Sequence, residues 1–330
     1  MSPRFLTLLV ILAGVGCQRP PAGGGESAGP AAADPWREAR ALIEAGQLDA
    51  ALAKIPGDSR DPEALVLLGR VWARKAATAP LPTPPPPPSP LARGTAPPAA
   101  PEFKPEELQA LEFYERAVGA RPDHAGAHLG LAELLAPHAH ARLEREREAA
   151  AQAASRRGRK GKAPEPAAPV PEGPDASIER VVREYRLAAQ GDPRAKAPVE
   201  ELITFAENAG RLEDANLAFQ ELLRRDKEKA EPFIRYGDFL LHQKKDGMGA
   251  IGEYAQALMW KPDDDATRAK IADIYLAMAA EHLGQREYAS AEARLKDAQR
   301  YITDKNSPQG LKIQDELSQL MQIRGRPPGR

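Results

Sequence analysis

One helical face recurs along this chain at a nearly fixed interval, and that recurrence constrains the fold more than any other feature. Phe233, Tyr236, Gly237 and Leu240 are spaced 3, 1 and 3, so they share one side of a helix. Ala250, Tyr254 and Ala257 share one side of a second helix, which Pro262 closes. The pattern stands 34 residues earlier as Val199, Leu202, Ile203 and Ala206, followed by Ala215, Phe219 and Leu222. It stands 35 residues later as Arg268, Ile271, Ala272 and Tyr275, followed by Ala291, Leu295 and Ala298. Upstream, His128, Leu131, Ala132 and Leu135 precede Val181, Tyr185, Ala188 and Pro193. Leu65, Leu68, Gly69 and Trp72 precede Ala110, Tyr114, Ala117 and Pro122. A weaker first unit runs from Trp36 to Ile55. From the closing position of one unit to the first anchor of the next is always six residues: 122 to 128, 193 to 199, 227 to 233 and 262 to 268. Periods of this length mark solenoids, in which each unit buries its apolar face only by stacking on its neighbours.

Large and small residues alternating on a first helix, Ala–aromatic–Ala on a second, and a closing Pro resemble the tetratricopeptide repeat (TPR). The resemblance implies an all-α, helix-turn-helix solenoid with five clear repeats and one weak N-terminal repeat. Two insertions interrupt it. One holds PLPTPPPPPSPLARGTAPPAAP; the other holds a charged, Ala-rich run and then SRRGRKGKAPEPAAPVPEGP. Both fall at the turn inside a repeat, never between repeats, so both are expected to leave one edge of the solenoid as disordered arms. The expected organisation is repeat helices over 34–76, a Pro-rich insertion over 77–104, helices over 105–141, a charged and Pro-rich insertion over 142–175, and an uninterrupted solenoid over 176–303. The longer spacing from Tyr275 to Ala291 predicts that both helices of the last repeat lengthen. Leu311, Leu317, Leu320 and Met321 mark an amphipathic capping helix over 304–323, ahead of a tail over 324–330.

Phe5 to Gly16 is an apolar run behind Arg4, too short for the ~30 Å membrane core at ~1.5 Å per residue. Residues 1–16 therefore read as a signal peptide. Cys17, the only cysteine, follows it directly. This resembles the lipobox of bacterial lipoproteins, in which the cysteine carries diacylglycerol and becomes the acylated N-terminus. Gly14 stands where that motif prefers Leu, and Gly14-Val15-Gly16 also satisfies the small-x-small rule of ordinary signal peptidase. Residues 18–33 are Gly/Pro/Ala-rich and form a tether. With Gln18 after the cysteine, the expected location is the periplasmic face of the outer membrane.

No motif points to catalysis, a cofactor or a metal. Gly-rich phosphate loops, HExxH and a cysteine in the folded part are all absent from the sequence. His124, His128, His138 and His140 cluster, but His128 holds a core-facing anchor position. Asp263, Asp264 and Asp265 read as capping residues for the next helix. Arg156, Arg157, Arg159, Lys160 and Lys162 form a basic cluster within the second insertion. It reads first as a solvated arm and, behind a signal peptide, alternatively as a contact for an anionic envelope polymer; a net charge of −1 gives no case for nucleic acid. Pro84 to Pro88 should be polyproline II.

By the resemblance, the first helices of the repeats line a concave groove. In the three contiguous repeats its lining would be Glu200, Thr204, Glu207 and Asn208; Glu231, Ile234, Asp238, Leu241 and His242; and Asp273 and Leu276. This mixed, acidic-rimmed groove suits a basic or amphipathic segment of a partner protein. The implied function is a non-enzymatic scaffold of the cell envelope, tethered by lipid. Lipid-anchored TPR proteins that it resembles include pilotin-like lipoproteins and outer-membrane assembly lipoproteins. A soluble periplasmic adaptor and an accessory module of a peptidoglycan-processing enzyme are the alternatives.

Overall fold

The computed structural model describes residues 34–80, 103–157 and 174–325. The signal segment, Cys17, the tether, the proline run and Arg159, Lys160 and Lys162 lie outside them. Every regular element among the described residues is a helix. In chain order these are α1 (Arg37–Glu44), α2 (Leu48–Lys54), α3 (Pro62–Thr78), α4 (Pro105–Ala120), α5 (Ala125–Arg157), α6 (Ile178–Gly191) and α7 (Ala197–Ala209). They continue as α8 (Leu212–Arg225), α9 (Ala230–His242), α10 (Gly247–Trp260), α11 (Asp265–Gly284), α12 (Tyr288–Gln299) and α13 (Pro308–Gly325). None of them is long and apolar enough to cross a membrane.

The helices pair as antiparallel hairpins, α1/α2 through α11/α12, and each second helix packs on the first helix of the following hairpin. First helices approach one another closely (α1/α3, α3/α5, α5/α7, α11/α13), whereas second helices meet through long charged side chains such as Arg180–Glu115 and Arg186–Asp214. The layer whose members converge is the inner one, so the first helices form the concave face. Four turns inside hairpins are uninterrupted, and each has a left-handed residue two places before its second helix: Gly46, Gly210, Lys245 and Arg286. The remaining two such turns, after α3 and α5, are where the insertions fall. Helix starts carry their caps. Asp61, Ser177, Asp246 and Asp264 each accept a backbone N–H of the first turn, satisfying a donor the helix cannot.

Three boundaries differ from the expectation. The charged run 142–157 is not part of a disordered arm, because α5 continues through it as one 33-residue helix, ~50 Å long. Its Ala, Glu and Arg are strong helix formers, and no Gly or second Pro stops it before Gly158. Arg147 donates to the Ala209 carbonyl at the end of α7, and the His140 ring lies 4.6 Å from that of Phe205, which fastens the first half of this extension. In the last hairpin only the first helix lengthens: α11 has 20 residues and α12 has 12. In α13 the inward residues are Ile313, Leu317 and Leu320, while Leu311 and Met321 are 53% and 70% exposed. The 4-then-3 spacing of 313, 317 and 320 is the true helical face.

Among the described residues, apolar burial falls into three clusters. One joins α1, α2 and α3 through Ala39, Ile43, Leu67 and Val71. A long central one runs from Leu65 to Ile274. The third joins α11, α12 and α13 through Leu276, Leu295, Ile313 and Leu320.

Candidate functional site

The concave groove is built on one register of the first helices. Five residues after the first anchor of each clear unit stand Arg70, Glu133, Thr204, Asp238 and Asp273. Glu201 and Glu207 of α7 and Arg235 of α9 lie near this ladder. Glu133 is solvent-accessible but sits in the hollow of the groove, where loss of hydration, then the Glu201 carboxylate, push its pKa up to about 6 against the pull of Arg70. Burial also raises Glu201, opposed by a hydrogen bond from Tyr185, and raises Glu207, opposed by Arg235. The half of the groove around α5 and α7 therefore holds three carboxylates raised chiefly by burial, with Arg70 and Arg235 opposing two of them.

The expected groove residues separate into three kinds. Glu200, Thr204, Asn208, Glu231, His242 and Asp273 are exposed, and Glu207, Ile234, Asp238 and Leu241 are half-buried. Asp238 is committed within the protein: it accepts Tyr254 Oη and Lys270 Nζ, each at 2.6 Å, tying α9, α10 and α11 together. Asp273 accepts the Gln309 amide at 2.8 Å, and Ile234 and Leu241 pack on the central core. Leu276 is not a groove residue. It is only 5% exposed, because α13 lies over α11 and takes this position into the C-terminal cluster. Arg70, Glu133 and Glu201 escape a reading confined to the three contiguous repeats. Extending the five-residue offset to Leu65 and His128 finds the first two.

The histidines serve the fold. His128 lies between Glu184 (Nδ1 to Oε2, 2.6 Å) and the Pro122 carbonyl (Nε2, 2.7 Å), so both ring nitrogens donate. His124 bonds Glu63 at 3.0 Å and accepts the Ala127 N–H. His138 stacks on Phe103, with centroids 4.0 Å apart. Among the described residues no group of three or more His, Cys, Asp or Glu is placed to hold a metal ion. Asp264 caps α11 by accepting Thr267 N–H, as its position before the helix predicts. Arg156 and Arg157 close α5.

Two packing devices repeat with the sequence. Tyr114 of α4 lies between Gly69 of α3 and Gly130 of α5, where a Cβ would come within 2.6 and 2.3 Å of the ring; Tyr254 of α10 lies equally close to Gly237 of α9. The six-residue junction also has a bond of its own. The side chain of the first anchor donates back to the closing carbonyl, His128 to Pro122 and Arg268 to Pro262. Ring-into-glycine packing in the α3/α4 and α9/α10 hairpins, with a recurring junction between hairpins, marks the fold.

The fold is a TPR solenoid.

Solved structures that this chain is similar to include a thermophilic TPR protein of Thermus thermophilus, at 19% identity and TM-score 0.35, covering 73% of this chain and 97% of that one. Pseudomonas aeruginosa pilF is similar at 16% identity and TM-score 0.32, covering 80% and 93%. A TPR protein from Parabacteroides merdae is similar at 12% identity and TM-score 0.36, covering 87% and 97%. Likenesses this distant add nothing to the assignment, which rests on the packing of this chain. No protein-family model and no curated protein matches the chain.

Proposed function

We propose that this chain is a non-enzymatic adaptor whose concave groove holds a basic or amphipathic segment of a partner protein. The supporting observation is a set of carboxylates on α5 and α7, of which Glu133, Glu201 and Glu207 have pKa values raised chiefly by burial, with the Glu201 carboxylate adding to Glu133. A cationic segment would offset the lost hydration of their ionised forms, and the half-buried Ile234 and Leu241 further along offer apolar contact. Cys17 behind a signal segment supports tethering to the cell envelope by lipid, with a pilotin-like or outer-membrane assembly role as the setting.

The test is crosslinking and capture of partners by the intact protein, compared with the triple variant Glu133→Lys, Glu200→Lys, Glu207→Lys. These residues bear no fold contact of the kind Asp238 has, so reversing them tests the groove without dismantling a junction. Loss of the captured partner supports the reading, and an unchanged partner set ends it. The anchor is tested separately by metabolic labelling with a clickable fatty acid, where label that persists in Cys17→Ala rules out lipidation at that residue.

A further inference from the structure

The second helices form the convex face, and each turns one stripe outward. The stripe is set by the buried residue that opens the inward face of the helix: Ala51, Ala110, Val181, Ala215, Ala250 or Ala291. In α10 the outward stripe is Met248, Gly252, Gln256 and Met259, all exposed and none charged. Every other described second helix has an exposed charge in the same register: Asp49 in α2, Glu112 in α4, Arg183 in α6, Glu213 in α8 and Lys296 in α12. Met248 and Met259 are 52% and 72% exposed, and Trp260 adjoins them at 51%. Leu217 of α8, 53% exposed, stands in the register of Gly252 and widens the uncharged band. Clustered large apolar side chains left in water mark a contact surface.

The α10 stripe is complementary to itself. Met248 and Met259 stand ~17 Å apart at ~1.5 Å per residue, with Gly252 and Ala255 about midway. Nothing lies within 4 Å of a Cβ added at Gly252, so its backbone faces open space. Two α10 helices laid antiparallel about a two-fold axis set Met248 of one copy on Met259 of the other at both ends. Gly252 then meets Ala255 at the middle. Small residues at the crossing let the axes approach, and the pliable methionines fill the ends. The same axis acts on α8. Glu213 stands in the register of Met248 and Arg224 in that of Met259, so each Glu213 comes opposite Arg224 of the other copy. Their side chains are 78% and 73% exposed, and each keeps an internal partner, Lys244 at 2.9 Å and Glu221 at 2.6 Å. As rim contacts they fix register more than they supply affinity.

We propose that the outer stripe of α10 is a self-association surface, and that its occupant is α10 of a second copy of this chain, antiparallel to the first. An uncharged stripe gives no handle to a partner chosen by net charge. The Glu213 and Arg224 rim is matched by a surface with the same two charges at the same separation in reverse order, which a second copy presents. Area sets the strength of the pair. The convex face curves α8 and α12 away from their counterparts, so contact centres on one helix and stays below the ~800 Å² per partner of a stable complex. The dimer is therefore weak and concentration-dependent. It leaves both concave grooves open.

The test uses the full chain carrying Cys17→Ser, which removes its only native thiol. Sedimentation velocity from ~5 µM to ~500 µM is expected to show monomer passing to dimer, with a dissociation constant on the order of 100 µM for so small a contact. Met259→Asp, at a 72% exposed position, should raise that constant at least ~10-fold, because its carboxylate would be buried against Met248. Gly252→Leu makes the stripe more apolar yet blocks the close approach, so it too should weaken the dimer. Glu213→Arg and Arg224→Glu should each weaken it, and the two together should restore it. Orientation is read by mixing two variants under oxidation: Met248→Cys should crosslink to Met259→Cys in preference to its own kind. Circular dichroism verifies that each variant is folded. Tighter association in Gly252→Leu, unchanged association in Met259→Asp, a double charge variant no tighter than either single, or preferential crosslinking of like with like overturns the proposal. So does a chain that stays monomeric throughout, which would leave the stripe to a different protein or to lipid.

Discussion

His128 illustrates how a single position can be read correctly for packing and incompletely for chemistry. Its place in the periodic pattern marks it as a core anchor, and it is 3% exposed. The pattern does not show that its ring needs two acceptors, because Glu184 lies 56 residues away on another helix. Burial disfavours the charged ring, but the bonds to Glu184 and Pro122 outweigh it and leave the pKa raised above 6.5. A raised folded pKa makes the pair's contribution fully present below about 6.5 and lost as pH rises through the folded value. His128→Leu leaves a buried carboxylate without its main partner and should cost ~3–5 kcal/mol in urea unfolding. The gap between wild type and variant should shrink as pH rises across that window, and a gap that ignores pH would refute the linkage.

Glu133 has the opposite consequence for an acid. Its folded pKa of about 6 lies above its ordinary 4.5, so it favours the folded state while protonated and costs stability once ionised in the fold. The carboxyl carbon resonance of Glu133 should titrate near pH 6, and Glu201→Gln should bring that midpoint down. A basic ligand in the groove should bind more tightly as pH rises through the same value, and Glu133→Gln should flatten that rise.

At the scale of the element, the controlling contact is a ring pressed on bare backbone. At Gly237 an added Cβ would lie 2.5 Å from the Tyr254 ring, whose hydroxyl is fixed by Asp238 and cannot slide away freely. Gly237→Ala raises helix propensity, yet overpacking should dominate and cost ~1–3 kcal/mol. Thermal unfolding checks the sign: a stabilised variant would mean that α9 and α10 can part without loss. Hairpin pairing, caps and this small-residue logic are legible in the sequence, because each is set by residues within one repeat. What escapes it is set by composition or by contacts across repeats. The extension of α5 has no inward-facing period to announce it, only strong helix formers. In α13 the leucine spacing points to Leu311 and Met321, whereas Ile313 faces α11 and α12. Leu276 is legible as outward-facing from its own helix, and only the arrival of α13 buries it.

At the scale of the whole molecule, each hairpin is stabilised by its own pairing and by its immediate neighbours, as in other quasi-one-dimensional proteins. Damage should therefore stay near its origin. Leu320→Asp places a charge at a 2% exposed position shared by α11, α12 and α13. Amide exchange should accelerate through α11, α12 and α13 and leave α5 to α8 protected. Exchange rising evenly along the chain would show tighter coupling than the contacts imply.

The division of the apolar interior into three clusters bears on what heating would reveal. A domain with one core melts as one unit, and a single temperature describes it. Here the α1–α3 cluster is small and the α11–α13 cluster is bounded by a terminal helix. A calorimetric trace should be broader than a two-state transition of the same area, with a van't Hoff enthalpy below the calorimetric one. No one melting temperature would then describe this protein, and the central repeats should be the last to lose heat-absorbing structure.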